Sequence, residues 1–530
     1  MKRPARIVLA VVVSATTFVR AQSYNTPIRH VIVVVQENRT PDNLFQDPVL
    51  IANGADISTT GFYKDHHGQR VTLPLAPGQL DSCYDPAHTH AAWMQMWDNG
   101  AMDGANRITV RLNECIPVMT VPRNPQFTYV KNTLFDGTHG ILDPYFQLAE
   151  QYGFADRMFQ TNQGPSFPAH QFLFTGTSAP VPYDDPSGFW TWFSAENPVN
   201  TGSTGCIAEQ GEVVLEIAPN GQESAGYNQG YPCYEHPTMT DLLDSATPPI
   251  SWRYYAYGKP GTVKGGQIWN APNAIDHICQ SSGAGGVCHG QEWKSNVVIG
   301  SQQVLTDICN GNLANVTWVI PDGNWSDHAG TVNDDGGPSW VGALTNYIGN
   351  SNNNGACVPE NYWSDTVILV VWDDWGGWFD HVAPWAIGYT NNTGGQYVYG
   401  FRVPLLVISA YTQQTQGIQG FTGYISSLNY DFGSILNFIE YVFGQSGNSL
   451  GQIGPLQYPY ADTFAPDLLQ GNAYSLSDFF DFSQSHPFKT VTGAKYPPSY
   501  FFTLLGLVRE LCRNVPPVRP ARLTISSVNI

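Results

Sequence analysis

The segment TVILVVWDDWGGWFDH, residues Thr366–His381, predicts the centre of the fold. Thr366–Trp372 is almost entirely apolar and rich in β-branched residues, which is typical of a strand buried on both faces of a parallel sheet. Two adjacent carboxylates, Asp373 and Asp374, follow this strand, and a Gly-Gly pair then allows a sharp turn. Ligands of open α/β sheets bind just beyond the carboxyl ends of the strands, so we predict a functional site at this point.

The paired carboxylates indicate more than a solvated strand end. Two acids side by side repel each other unless a cation or a shared proton neutralises them. For a single Asp, a strand capped by a solvated acid is the simpler interpretation. The pair, the two glycines and the following Asp380 and His381 together favour a functional site.

Other strands of the predicted sheet end in the same way. His30–Gln36 (HVIVVVQ) is an apolar run followed by Glu37 and Asn38, and Val316–Ile320 (VTWVI) leads to His328. If these strands are neighbours, their polar side chains converge at one edge of the sheet. Carboxylate and amide oxygens without cysteine select a hard cation such as Ca²⁺, Mg²⁺ or Mn²⁺, and zinc stays possible where His joins them.

A serine lies next to a predicted helix start. In GPSFPAHQFLF, residues 164–174, two prolines fix the backbone around Ser166, and an apolar helix is predicted after Pro168. A hydroxyl near a helix N-terminus lies where backbone N–H groups and the helix dipole stabilise an incoming anion. Ser166 is therefore a candidate nucleophile, and a helix N-cap is its alternative role.

The length of the chain bounds its domain organisation. Its 530 residues exceed the size at which a single core stops growing, so we expect one large α/β domain with insertions, or two domains. The main α/β domain is predicted over residues 22–455, with a loop-rich insertion lobe around 180–300. Residues 456–530 are predicted to form a loop-rich C-terminal extension packed on the same domain.

The net charge of −19 argues against nucleic acid and anionic membranes as partners. Residues 1–21 have the pattern of an export signal, with three cations, the apolar Ile7–Val13 and a small-x-small cleavage site that ends at Ala21. The apolar part is too short to span a bilayer, and no later run approaches that length, so no transmembrane anchor is predicted. The expected location is secreted or periplasmic.

The nine cysteines also favour an oxidising compartment. Sequence alone leaves their connectivity open, so a pairing by nearness in the chain is a hypothesis that leaves Cys512 alone. The predicted pairs are Cys83 with Cys115, Cys206 with Cys233, Cys279 with Cys288, and Cys309 with Cys357.

Four linked segments carry a family resemblance. HVIVVVQENRTPDNLF, GPSFPAHQFLFTG, PDGNWSDH, and VILVVWDDWGGWFDHV with RVPLLVIS after it, resemble in the same order the phosphoesterase family of bacterial phospholipase C and related acid phosphatases. That family belongs to the alkaline-phosphatase superfamily, and the resemblance runs through roughly residues 28–445. It implies a large, mainly parallel central sheet flanked by helices, with residues 22–455 as the catalytic domain. One departure is ENRTPD, where relatives commonly have ENRSFD.

The resemblance also implies roles for individual residues. A single divalent metal ion (Ca, Mg, Mn or Zn) is expected, and Ser166 falls on the nucleophile of the family. His328 would protonate the leaving group or contact phosphate, and His88 would contact phosphate, with His90 as a nearby alternative. The expected metal ligands are Glu37, Asn38, Asp373 and Asp374.

The implied function is an exported, metal-dependent phosphoester hydrolase of phospholipase C or acid phosphatase type that acts through a phosphoseryl intermediate. Its expected partner is a phosphoester small molecule or a phospholipid headgroup, and the sequence leaves the oligomeric state open. A sulfatase-like hydrolase is one alternative, although the sequence context that yields formylglycine is not seen. A non-catalytic exported binding protein on the same fold is the other, and the complete set of candidate ligands argues against it.

Overall fold

A computed structural model describes residues 24–112, 121–181, 193–199, 203–217, 229–258, 268–330, 333–351, 357, 360–387, 397–445, 447–450 and 465–506. The predicted export signal, residues 1–21, lies outside the described residues, as do Cys115 and Cys512.

Eight strands of the described residues form one central sheet, in the order β4-β3-β5-β1-β6-β7-β2-β8. Every residue of β6 and β7 is buried, as the apolar runs in their sequences predict. The strands are β1 (His30–Gln36), β2 (Gly153–Phe159), β3 (Trp252–Ala256), β4 (Val297–Ile299), β5 (Val316–Val319), β6 (Thr366–Trp372), β7 (Arg402–Ser409) and β8 (Tyr424–Ser426).

Seven of these strands run in the same direction. β7 is antiparallel to both of its neighbours, β6 and β2, and every other neighbouring pair in the sheet is parallel. The predicted α/β fold with a large, mainly parallel central sheet is therefore confirmed. The region predicted as an insertion lobe supplies β3 and β4 to this sheet, whereas the predicted domain boundaries stay predictions.

The register of the sheet decides which side chains meet at its edge. Gln36 at the end of β1 lies opposite Trp372 at the end of β6, so the residues that follow these two strands leave the sheet side by side. Because β7 runs the other way, its first residue, Arg402, lies at the same edge.

Twelve α-helices are assigned in the described part of the chain. They are α1 (Pro41–Leu44), α2 (Pro48–Ala52), α3 (His90–Trp97), α4 (Asp143–Gln151), α5 (Ser166–Thr175), α6 (Met239–Ser245), α7 (Asp276–Cys279), α8 (Gln291–Asn296), α9 (Gln303–Cys309), α10 (Gly337–Gly349), α11 (Phe432–Phe443) and α12 (Pro498–Gly506).

Shorter elements surround the central sheet. The short strands are Thr60–Lys64, Arg70–Pro74, Ala76–Gly78, Tyr84–Pro86, Val110–Leu112, Thr128–Val130, Phe193–Ser194, Val214–Ile217, Gln229–Gly230, Ala386–Ile387 and Tyr397–Val398. The 3₁₀ turns are Asp98–Gly100, Ala105–Arg107, Pro125–Phe127, Gly205–Ile207, Ala271–Ala274, Gly323–Trp325, Tyr362–Asp365, Pro466–Gln470 and Ser477–Phe479.

Three of the predicted disulfides are formed: Cys206–Cys233, Cys279–Cys288 and Cys309–Cys357. The fourth predicted pair includes Cys115 and so lies outside the described residues. Among the residues that the structure describes, no helix has the length and apolar character needed to cross a bilayer.

Candidate active site

The register of β1 and β6 brings two polar pairs together at the carboxyl edge of the sheet. Asn38 N donates a hydrogen bond to Asp373 Oδ1 at 3.0 Å, and Asp373 N donates to the Gln36 carbonyl at 2.9 Å. Glu37, Asn38, Asp373 and Asp374 are all fully buried. The predicted convergence of these four residues is therefore present in the fold.

Ser166 joins this group from a different part of the chain. Its Oγ lies 3.3 Å from Glu37 Oε2 and 3.3 Å from Asp374 Oδ2. A hydroxyl carries one proton, so it donates to one of these carboxylates at a time. Ser166 is the first residue of α5, and Pro165 holds the N-cap position, so the alternative role of Ser166 as an N-cap is wrong.

His170 was not predicted as a site residue. It lies one helical turn after Ser166 on α5, and its Nε2 is 3.1 Å from Glu37 Oε1 and 3.8 Å from Asp373 Oδ2. Burial lowers the pKa of His170 to about 4, so the imidazole is neutral and able to bind a metal. The sequence signal for it was the i, i+4 spacing, which places Ser166 and His170 on one helix face.

His88 lies at the border of the cluster. Its Nε2 is 3.1 Å from Asn38 Nδ2, and its Nδ1 is 2.9 Å from the Pro86 carbonyl. Burial lowers the pKa of His88, but the negative charges of Asp374 and Asp85 outweigh burial and raise that pKa to about 9. These two contacts hold the His88 ring beside the carboxylates.

His328 faces His88, whereas His90 does not belong to the cluster. The ring centroids of His88 and His328 are 5.6 Å apart, and Nδ1 of His328 is 2.6 Å from the Ala329 carbonyl. His90 is fully buried, stacks on Trp93 and places its Nδ1 3.0 Å from the Gln163 carbonyl. Of the two candidates in this segment, His88 is the one beside the carboxylates.

The chemistry of the cluster fits a divalent cation. Burial and the neighbouring Asp373 raise the pKa of both Glu37 and Asp374 well above their usual values, because three carboxylates share one buried space. Asp373 Oδ2 and Asn38 Oδ1 are buried and accept no hydrogen bond within the described residues. A metal ion would neutralise the acids and bind these oxygens, and ligand atoms of Glu37, Asp373 and His170 all lie within 4.8 Å of one another.

Asp380 and His381 form a second polar group that is already neutralised. Arg402 Nε donates to Asp380 Oδ1 at 2.7 Å, and Arg402 Nη2 donates to Asp42 Oδ1 at 3.2 Å. His381 Nδ1 lies 2.8 Å from Asp42 Oδ2. Arg402, Asp42 and Asp380 are all fully buried. The positive charge of Arg402 balances the two acids, so this group links strand β7 to helix α1 without a metal.

A family model described as the Phosphoesterase family matches residues 28–446, a range that contains every part of this cluster. The chain belongs to this family. The predicted family resemblance is thus confirmed.

Curated relatives of this phosphoesterase family member carry phospholipase names. The non-hemolytic phospholipase C of Pseudomonas aeruginosa is 23% identical over 466 residues, which cover 79% of this chain and 54% of that protein. The phospholipase C B of Mycobacterium tuberculosis is 22% identical over 429 residues, 73% of this chain and 69% of that protein. The non-specific phospholipase C6 of Arabidopsis thaliana is 22% identical over 456 residues, 81% of this chain and 71% of that protein. The chain spans about half the length of the Pseudomonas relative.

A cavity of about 370 Å³ lies beside the cluster in this family member. His88 and Pro165, the residue before Ser166, both line it, so the cavity reaches one candidate site residue, His88, and the chain neighbour of Ser166. The rest of its wall carries two acids, one cation, three neutral polar residues and four small apolar residues: Asp85, Pro86, Ala87, Thr89, Thr109, Arg111, Glu196, Asn197, Pro198 and Val199.

Proposed function

We propose that this chain is an exported, metal-dependent phosphoester hydrolase in which Ser166 is the nucleophile. The observation that carries the proposal is the position of Ser166 Oγ, 3.3 Å from each of two buried carboxylates at the carboxyl edge of the sheet. A metal ion held by these carboxylates would lie next to the hydroxyl and activate its oxygen as a nucleophile. Membership of the Phosphoesterase family supports the same reaction class.

The metal would be held by Glu37, Asn38, Asp373 and Asp374, with His170 as a further ligand. When bound, a divalent ion stabilises the deprotonated serine and withdraws negative charge from the phosphoryl oxygens. The buried, unpartnered oxygens of Asn38 and Asp373 support this assignment.

The chain's own residues perform the rest of the first step. Ser166 Oγ attacks phosphorus in line, the Oγ–P bond forms, and the bond from phosphorus to the alcohol oxygen breaks. The hydroxyl proton of Ser166 passes to the adjacent carboxylate of Glu37 or Asp374. His88 contacts the phosphoryl oxygens. His328 enters this step in its protonated form, with Nδ1–H held by the Ala329 carbonyl, and donates its Nε2 proton to the departing alcohol oxygen. Burial lowers the pKa of His328, which makes the protonated ring a strong proton donor.

A second step returns the enzyme to its starting state. Water attacks the phosphoserine, the Oγ–P bond breaks, and Ser166 recovers its proton while a phosphate or phosphate monoester leaves. His328 takes a proton from that water, which restores the proton it gave to the alcohol. The buried position of Ser166 supports this scheme because it limits the access of competing water.

The substrate that this site fits best is a phosphodiester with a small headgroup, as in a phospholipid. The cavity beside His88 and Pro165 gives room for a second substituent on the phosphate, which a diester has and a monoester lacks. The names of the three relatives, all phospholipases C, support the same choice. Export is supported by the three disulfides, which form and persist in oxidising compartments.

A parallel assay tests this proposal. The purified protein is incubated with nitrophenyl phosphorylcholine and with nitrophenyl phosphate, each with and without a chelator. We expect faster release of nitrophenol from the diester, loss of both activities on chelation, and recovery when a divalent metal is returned. Full activity after exhaustive chelation would contradict metal dependence, and a clear preference for the monoester would replace the phospholipase C assignment with an acid phosphatase.

A further inference from the structure

Asn197 lies in the wall of the cavity beside the candidate active site. It shares this wall with Pro165, the residue before Ser166. The segment that carries Asn197 is in direct contact with the same turn, because a Cβ added to Gly164 would collide with the Ala195 carbonyl oxygen. Asn197 therefore lies against the loop that presents the proposed nucleophile.

The side-chain amide of Asn197 has a fixed orientation. Its Oδ1 accepts a hydrogen bond from Phe167 N at 2.9 Å. Only the oxygen of an amide accepts a hydrogen bond, so this contact decides which end of the side chain is Nδ2. Phe167 follows Ser166 in the chain, and both belong to the first turn of helix α5. The amide is thus held at the end of α5 where Ser166 lies.

The Nδ2 atom of Asn197 is a donor that has no protein acceptor. Within the described ranges of the chain, the bond to Phe167 N is the only hydrogen bond of this side chain. The side chain is half-buried and forms part of the cavity wall. Its two N–H groups are therefore available to a molecule that occupies the cavity.

Hydrogen bonds on both sides of Asn197 keep it in place. Ala195 N donates to the Leu215 carbonyl at 3.0 Å, and Val199 N donates to the Val213 carbonyl at 3.1 Å. A donor that is already positioned in the free protein needs no reorganisation when charge develops on a substrate. The fold thus holds this donor ready beside the cavity.

We propose that Asn197 Nδ2 donates a hydrogen bond to a non-bridging phosphoryl oxygen while Ser166 attacks phosphorus. The phosphorus must approach Ser166 Oγ, and the Asn197 amide is bound to the residue directly after Ser166. His88 lines the same cavity, so both side chains border the space that the phosphoryl group would occupy. A hydrogen bond to these oxygens stabilises the negative charge of the transition state. This inference rests on the proposed function and adds a catalytic residue to it.

A purely structural role is the alternative for Asn197. Helix α5 has Pro165 at its N-cap position and no side-chain cap there, so the bond from Phe167 N to Asn197 satisfies one of the first backbone donors of the helix. Such a role uses only Oδ1, whereas the proposed contact uses Nδ2. The two roles therefore predict different effects for a substitution that keeps the oxygen and removes the nitrogen.

Asn197→Asp distinguishes the two roles. The carboxylate keeps an oxygen for Phe167 N and removes the Nδ2 donor. We expect kcat for nitrophenyl phosphorylcholine to fall by about 10²–10³-fold, as after loss of one oxyanion-hole donor. KM should change less than kcat, because the contact is strongest in the transition state. Tm and metal content should stay at the wild-type level.

Asn197→Ala gives a second test that adds no charge. It removes both the donor and the acceptor, so kcat should fall by the same order and Tm should fall as well. Asn346→Ala is the matched control, because Asn346 Oδ1 accepts a hydrogen bond from Val491 N, also at 2.9 Å, and Asn346 lies outside the cavity wall. This control should lose stability alone and keep kcat within a few fold of wild type.

Thr109→Asp measures the effect of added charge on its own. Thr109 is exposed on the same cavity wall, so its variant adds a carboxylate there and leaves Asn197 intact. Its kcat should fall far less than that of Asn197→Asp. Equal losses of kcat in these two variants would assign the effect to repulsion of the phosphate and would overturn the proposed contact.

The wild-type assay separates this inference from the proposed function. If the wild type hydrolyses neither nitrophenyl substrate, the proposed function fails and the contact fails with it. If the wild type is active and Asn197→Asp keeps its kcat, only the contact is wrong, and Asn197 serves as a helix cap. A large loss of kcat in both Asn197 variants, with unchanged metal content and Tm in Asn197→Asp, supports the contact.

Discussion

The hydroxyl of Ser166 lies 3.3 Å from the carboxylate of Glu37, although 129 positions separate the two residues in the chain. Substitution of this serine removes the proposed nucleophile without removing a metal ligand. We therefore expect Ser166→Ala to lower kcat by about 10⁴-fold or more. Metal content, measured by elemental analysis, should stay at the wild-type level.

Ser409→Ala is the matched control for this variant. Ser409 is also buried, but its hydroxyl donates to the Thr366 carbonyl at the opposite edge of the sheet. Its loss should reduce stability slightly and leave kcat within a few fold of wild type. A Ser166→Ala protein with the kcat of the control would remove Ser166 from the mechanism.

Asp373→Asn should reduce metal occupancy. The change leaves the shape of the side chain but removes one of the negative charges that face Asn38 and Glu37. Elemental analysis after dialysis against limiting metal should show a clear loss. Asp327→Asn is the comparison, because Asp327 is fully buried at a neighbouring strand end and binds Tyr145 and Trp372 instead of the cluster. Equal metal contents in the two variants would refute the ligand assignment of Asp373.

His170→Gln tests the residue that the sequence did not reveal. If His170 binds the metal, its substitution should weaken metal affinity by about 10–100-fold, since ligand-shell changes have effects of this size. The control is His236→Gln, because burial lowers the pKa of His236 to about 4 as well, and His236 lies outside the cluster. Competition with a chelator measures the affinity, and equal affinities for the two variants would restrict His170 to a packing role.

The strands were predictable because their signal is local. The apolar runs His30–Gln36 and Thr366–Trp372 coincide with β1 and β6, and each delivers its polar pair to the same edge of the sheet. Local sequence does not encode strand direction, since an apolar run reads alike in either orientation. The reversed direction of β7, which places Arg402 at the same sheet edge as the candidate site, could therefore be learned only from the structure.

The candidate site was predictable in part for the same reason. The four candidate ligands, Glu37, Asn38, Asp373 and Asp374, follow buried strands directly, so their convergence follows from strand adjacency. His170 was missed because its position beside Glu37 depends on how α5 packs in the folded protein. The only sign of it in the sequence is its spacing of four residues from Ser166. The segment around His88 contains two histidines, His88 and His90, and the sequence does not show which one lies at the site. Their hydrogen-bond partners in the structure distinguish them.

Gly376→Ala should impair the site through the backbone of Asn38. Gly376 has φ +63°, and an added Cβ would lie 2.4 Å from the Asn38 carbonyl oxygen and 2.7 Å from Asn38 Cβ. The loop or Asn38 must then move, so we expect kcat/KM to fall by about 10²-fold. Gly420→Ala is the control, because Gly420 has φ +84° with no atom within 4 Å of the added Cβ. Both variants should lose about 1–2 kcal/mol of unfolding free energy from the positive φ, and Gly376→Ala should lose more because of the clash with Asn38. Only Gly376→Ala should lose activity.

The stability of the protein should fall between about pH 6.5 and pH 9 because of His381. Its Nδ1 lies 2.8 Å from Asp42 Oδ2; burial lowers its pKa, but Asp42 and Asp380 outweigh burial and raise that pKa to about 9. A group with a raised folded-state pKa stabilises fully below its unfolded pKa of about 6.5, and the effect is lost as pH rises through the folded value. The contribution is about 2 kcal/mol after solvent screening of this partly exposed side chain. Urea unfolding should show that the wild type has a higher unfolding free energy than His381→Gln at pH 6 and that this difference disappears by pH 9.5. The Asp42→Asn change should make the difference smaller. A constant difference between wild type and His381→Gln across that range would show that His381 keeps its usual pKa in the folded protein.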